Sequence, residues 1–224
     1  MLPFVVNDDD DVKQPMKILD FYPIPVGVVP LKRTLKDQEI DHVNILKNNT
    51  TINASKNKIS VDKNVLNSEA FCELKEIITE HLNDYIKTIF NPDRDIQVYI
   101  TNSWINWTEN DTGHHQHAHP NSLISCVLYI ETDFTSDSIT FSRPQGSYLF
   151  GNVDGFSNSP STKYSDSFWS IPVDKNNLII FPSQMYHQVI PRLNTSKGTR
   201  ISLSMNTWFK GSLGCSDCVS ELKL

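Results

Sequence analysis

Up to about residue 90 the apolar residues of the chain recur at spacings of three and four, and from residue 97 onward they fall into short, alternating, β-branched runs. The first rhythm is that of a helix with one buried face, the second that of strands. Residues 35–46 and 68–90 carry the helical spacing. In the second of these, Phe71, Leu74, Ile77, Ile78, Leu82, Tyr85, Ile86 and Ile89 form a single core-facing stripe. Ser68 is placed to cap it ahead of Glu69 and Glu73, and Asn91-Pro92 ends it. Residues 18–31, ILDFYPIPVGVVPL, are apolar but broken by Pro23, Pro25 and Pro30, which predicts an interrupted edge strand.

Beyond residue 97 the runs QVYITNSWINW, HAHPNSLISCVLYIE, SITFS, WSIPV, NLIIFPS, HQVIP and RISLSMNTWF each predict a strand. Helices followed by many short strands describe an α+β protein whose β part is a barrel or sandwich. A length of 224 residues suits one domain: residues 1–95 as an N-terminal strand and helices packed on the barrel, 96–210 as its core, and 211–224 as a tail. Residues 144–170 form a long polar loop carrying Tyr148, Phe150, Phe156, Tyr164, Phe168 and Trp169, a length that predicts a lid or substrate rim. The acidic run from Asp8 to Asp11 reads as a solvated lead-in.

A net charge of -6 with scattered lysines leaves no electrostatic footprint for nucleic acid, so a small-molecule or peptide substrate fits better. No segment has the roughly 18 apolar residues of a membrane span, and the start, MLPFVVNDDDDVK, lacks the features of a secretory signal. A cytoplasmic protein is therefore expected. Of the four cysteines, Cys72, Cys126, Cys215 and Cys218, only the last two are close, as CSDC, and without a second such pair they read as free thiols of the tail.

Candidate chemistry is concentrated in GHHQHAHPNS, residues 113–122, which places four of the seven histidines within six positions. Imidazole is the commonest side-chain metal ligand and suits iron, zinc, copper and nickel. In an extended segment His115, His117 and His119 would share one face, and His114, Gln116 and Ala118 the other. Any two neighbours on the first face could grip an ion together with the distant His187. The final strand, RISLSMN, segregates Arg200, Ser202, Ser204 and Asn206 from Ile201, Leu203 and Met205. If its polar face lined a barrel interior, the buried guanidinium of Arg200 would need a partner, and a small molecule bearing a carboxylate would supply one.

Taken in order, SWINW, HAHPNS, SCVLYI, NLIIFPSQMYHQVIP and RISLSMN resemble the 2-oxoglutarate- and Fe(II)-dependent oxygenases, in particular a microbial and phage group. The resemblance covers residues 102–208 and, more weakly, the FYPIPV segment. It implies a double-stranded β-helix, or jelly roll, that holds Fe(II) with a near pair and a distal histidine. It also implies a basic residue on the last strand for the far carboxylate of 2-oxoglutarate. Carried over residue by residue, the metal ligands are His117, His119 and His187, and the carboxylate anchor is Arg200 with Ser202 as a donor. Tyr129, expected on the strand paired to the metal strand, is a second donor, and Asn106 and Asn206 orient co-substrate or substrate.

The implied reaction hydroxylates a substrate with release of succinate and CO2, with ascorbate as reductant. The family's usual carboxylate ligand stands here as His119, which makes the bound site one charge unit more positive. Two other ligand sets remain open: His115 with His117 as the near pair, or an acid from a distant loop, such as Asp154, completing the shell. Two other functions also fit the histidines: a cupin-like metal enzyme that uses no 2-oxoglutarate, and a non-catalytic jelly-roll binding module stabilised by metal.

Overall fold

Strands of the β-rich half pass back and forth between two antiparallel sheets, and that alternation builds the site. The computed structural model describes residues 16–20, 23–92, 95–143, 162–164, 166–214 and 222–223. In chain order the elements are β1 (Gly27–Pro30), α1 (Asp37–Lys47), β2 (Thr50–Ile52), β3 (Lys58–Ser60), α2 (Cys72–Phe90), β4 (Gln97–Thr108), β5 (His114–His117), β6 (Ile124–Glu131), β7 (Ser138–Ser142), β8 (Phe168–Pro172), β9 (Asn177–Pro182), β10 (His187–Val189) and β11 (Arg200–Lys210). The larger sheet runs β1, β9, β6, β11, β4, β3, β2, and the smaller runs β5, β10, β7, β8. From β4 to β11 the chain thus winds as the expected double-stranded β-helix, with helices added ahead of it.

Alternation along β11 decides what each side of the large sheet meets. Leu203 and Met205, with Ile105 and Trp107 of β4 and Cys126 and Leu128 of β6, face the helices and are buried. There they meet Phe71, Leu74, Ile78, Leu82, Tyr85 and Ile86, the predicted stripe. Ile89 departs from that stripe: it is 40% exposed on the last turn of α2. Regular α-helix begins at Cys72, because the turn capped by Ser68 is a 3-10 turn, Glu69–Phe71, in which the Ser68 hydroxyl accepts from the Ala70 N–H. Asn91 closes the helix in the left-handed conformation.

The interrupted apolar start resolves into β1, an edge strand pairing with β9, and the Tyr85 hydroxyl donates to the Pro25 carbonyl at 2.9 Å to hold the preceding segment. The hairpin of β2 and β3 was not legible in the hydrophobic pattern. Its strands are three residues each, and β3 extends the large sheet by pairing Lys58 with Trp107 and Ile59 with Asn106. A second apolar cluster, including Val127, Tyr129, Phe141, Ile179 and Phe181, lies between the sheets and backs the site.

Candidate metal and co-substrate site

Strand β5 forms one edge of the small sheet and pairs with β10. His117 stands opposite His187, but the next pair is His114 opposite Val189, so three residues of β5 span what two span on β10. This irregularity corrects the simple alternation expected of the histidine run. His114 and His117 both line the interior cavity, whereas His115 is exposed. The residue just before the strand is Gly113 because nothing larger fits: a Cβ there would lie 2.4 Å from the Val189 carbonyl oxygen.

His119 lies just past β5, where its backbone N–H donates to the Ser183 carbonyl at 2.9 Å. The rings of His117, His119 and His187 converge, with centroids 4.4 to 5.1 Å apart. One ring nitrogen from each lies within 4.8 Å of the others. His119 and His187 are buried, and His117 is partly so.

Each ring has its other nitrogen committed to an oxygen. His117 Nδ1 meets the His115 carbonyl at 2.8 Å, His187 Nδ1 meets the Met185 carbonyl at 2.9 Å, and His119 Nδ1 meets the side-chain oxygen of Asn206. These oxygens only accept, so each Nδ1 carries the proton and each Nε2 keeps a lone pair. That is the tautomer a metal requires. Burial holds all three rings neutral, pushing His117 down to about 4 and His187 to about 3, and lowering His119 as well. Three neutral imidazoles with free lone pairs fit a divalent first-row ion.

Across the cavity, Arg200 is 2% exposed. Its Nη1 donates to the Ser138 carbonyl at 3.1 Å, its Nη2 reaches the Tyr129 hydroxyl at 3.4 Å, and its guanidinium lies over the Tyr129 ring. Its buried Nε has no partner, and no carboxylate among the described residues lies within ion-pair distance of it. Ser202 lines the same cavity. The strand that carries Tyr129 has a different partner from the one expected: β6 pairs with β11, where Tyr129 stands opposite Ser202, and not with β5. An unsatisfied guanidinium, a phenol and a serine hydroxyl at one end of a cavity fit the carboxylate of an elongated dianion.

The two asparagines part company. Asn106 lies in the cavity, where its amide donates to Ser204 Oγ at 3.0 Å and its oxygen accepts from Asn57 at 3.3 Å. Asn206 faces an adjoining open groove and holds His119, with Ser125 Oγ also donating to its oxygen at 3.0 Å. The groove is walled by Ile59, Lys63, Asn102, Trp104 and Pro120, and His114, His117 and His119 also line it.

Sequence reasoning missed Asn57, which the short hairpin carries into the cavity, and the hydroxyl chain of Ser122, Ser183 and Ser125 behind His119. It also missed the buried ion pair of Arg192 Nε with Asp137 at 2.7 Å. Isolated polar residues carry no spacing signal, and the one available clue was the unbroken polar face of β11. Trp104 lines both cavity and groove, but Trp107 points into the helix-facing core, and Phe181 packs edge-on against His187. Asp154, Tyr148, Phe150, Phe156, Cys215, Cys218 and the run from Asp8 to Asp11 lie outside the described residues, while Phe168 and Trp169 are exposed.

Residues 102–206, the stretch that carries every histidine of the triad and Arg200, match the family described as "Putative 2OG-Fe(II) oxygenase". The likeness to that family is confined to this stretch of the chain. No curated protein matches the sequence. Solved structures show how far the oxygenase fold extends. A 2OG-Fe(II) oxygenase family oxidoreductase from Burkholderia pseudomallei is 13% identical with a TM-score of 0.52, covering 81% of this chain and 83% of that one. HygX from Streptomyces hygroscopicus, with nickel, 2-oxoglutarate and hygromycin B bound, is 10% identical with a TM-score of 0.54 and covers 82% of each chain. A prolyl-4-hydroxylase from Pseudomonas putida is 11% identical with a TM-score of 0.51, covering 82% of this chain and 92% of that one. Among the described residues no helix of this chain is long and apolar enough to cross a membrane.

Proposed function

We propose that this chain is a dioxygenase that uses Fe(II) and 2-oxoglutarate to hydroxylate a substrate seated in the open groove, releasing succinate and CO2. One observation carries the reading. Three histidines, each with Nδ1 spent on an oxygen, direct their Nε2 atoms into the cavity that also holds the unsatisfied guanidinium of Arg200.

His117, His119 and His187 would hold the metal, which when bound supplies the redox chemistry and the site of oxygen activation. Arg200, Ser202 and Tyr129 bind the far carboxylate of 2-oxoglutarate and so fix which end of it meets the metal. Trp104, between cavity and groove, shields the reacting centre from water on the substrate side. Asn206 and the carbonyls of His115 and Met185 keep the three ring protons on Nδ1, away from the ligating nitrogens. The related folds include one solved with hygromycin B bound and one that is a prolyl-4-hydroxylase. The groove, with amide groups of Asn102 and Asn206 beside Trp104 and Pro120, suits a small polar molecule or a peptide.

Purified protein given Fe(II), ascorbate and 2-oxoglutarate is expected to release succinate slowly without substrate, and His187→Ala to abolish the release. Anaerobic titration with 2-oxoglutarate is expected to raise a weak visible metal-to-ligand band. Absence of both succinate and band at full metal loading overturns the proposal and leaves a metal protein that uses no oxoacid.

A further inference from the structure

His115 takes no part in this chemistry, yet it is not isolated. His114, His115 and His117 form a second group of three imidazoles whose ligand nitrogens lie within 4.8 Å of one another. Their ring centroids are 4.4 to 5.4 Å apart. The group is graded in depth: His115 is exposed, His114 is half-buried and lines both groove and cavity, and His117 belongs also to the inner triad. It stands on β5, the edge strand of the small sheet, so the four histidines of the run lead from solvent to the interior.

We infer that His115 and His114 form an outer metal seat that captures a divalent first-row ion together with His117 and passes it to His119 and His187. This rests on the inner triad being the metal site. Imidazole is a suitable ligand for such ions, and a trio that reaches solvent at His115 offers it without first opening the fold. With its Nδ1 donating to the His115 carbonyl, His117 has only Nε2 to give, so it cannot serve two ions at once. The two seats are therefore occupied in turn. Transfer exchanges two ligands while His117 stays bound, so the ion is never released to solvent. Capture on the outer seat also raises the local ion concentration at the inner one, as for any tethered second binding step.

The ring of Trp104 lies 5.8 Å from that of His119, so quenching of its fluorescence by Ni(II) reports arrival at the inner seat. His115→Ala retains the backbone carbonyl that orients His117. It is expected to leave the equilibrium affinity of the inner seat within about twofold while slowing Ni(II) uptake about tenfold. An unchanged uptake rate, or an affinity that falls as far as the rate, overturns the relay. In a second arm, equilibrium dialysis of His187→Ala is expected to find one weakly held Ni(II) per chain, which the further change His115→Ala removes. A His187→Ala protein that binds no Ni(II) shows that there is no outer seat. If affinity is untouched by both His187→Ala and His119→Ala, the inner triad itself is not the metal site, and the relay falls with it.

Discussion

Asn206 of β11 accepts the Nδ1 proton of His119 through its side-chain oxygen, a bond between the last strand of the barrel and the segment following β5. It fixes both the tautomer and the orientation of the ring, the usual task of a hydrogen bond behind a metal-binding histidine. Asn206→Leu is expected to weaken metal binding about 10- to 100-fold in equilibrium titration. Asn206→Asp keeps an acceptor in place and is expected to bind close to wild type. Equal loss in both variants would show that the amide holds the strand and not the ring.

Arg200 is buried and has no carboxylate partner among the described residues, so it costs the co-substrate-free fold stability while preparing it to bind. Arg200→Met is expected to leave metal affinity and the melting temperature of the co-substrate-free protein unchanged or higher. The same change removes about 1.5–3 kcal/mol or more of 2-oxoglutarate binding, the scale of a charge-assisted hydrogen bond. Parallel calorimetry of metal and 2-oxoglutarate binding, with a thermal melt, separates these effects. A large drop in melting temperature would make the arginine structural.

The Asp137–Arg192 pair is buried on both sides, and Arg192 also donates to the carbonyls of Thr108, Lys197 and Gly198. It therefore clasps the end of β4 to the turn that begins β11. Asp137→Ala leaves an uncompensated buried charge and is expected to cost about 3–5 kcal/mol in urea denaturation. Replacing both partners, Asp137→Leu with Arg192→Met, is expected to cost less than the sum of the single changes. Strict additivity would show that the two side chains act independently.

Burial holds His114 and His187 at about 3 and His117 at about 4, against an ordinary 6.5. As pH falls below about 6.5, the unfolded chain binds protons that the fold refuses until about 3–4. The stabilisation is thus fully present above pH 6.5 and is lost progressively as pH falls towards the folded values. Metal-free protein is expected to show a falling melting temperature between pH 7 and about pH 4.5, and His114→Phe a shallower slope. Identical slopes in the two proteins would exclude His114 as a contributor.

Most barrel strands and both helices were legible because they carry a period: alternation along β11 predicted which of its residues line the cavity, and the stripe of α2 predicted what covers the other face. The run HAHPNSLISCVLYIE, expected as one strand, instead divides into the end of β5 and β6, which lie in different sheets. The triad could be set out only through the order and spacing of several strands, since His187 lies far along the chain from His117 and His119. The histidine run itself misled. Strict alternation assigns His114 to the wrong face, because the extra residue on β5 is a property of its pairing with β10 and leaves no mark in the letters. Tyr129 was joined to Arg200 only through the family resemblance, and its strand partner was misjudged, because which strands pair depends on the winding of the whole barrel.

Three neutral imidazoles give the metal no countercharge of their own, and Arg200 stands across the cavity with none either. Two positive centres facing one another make a poor resting state, and a dianion laid between them answers both at once. Ion and oxoacid are then each other's effector, and by thermodynamic reciprocity each strengthens the other's binding by the same factor. On the proposed function the cavity works as a coincidence gate, one that retains either visitor weakly and the two of them together.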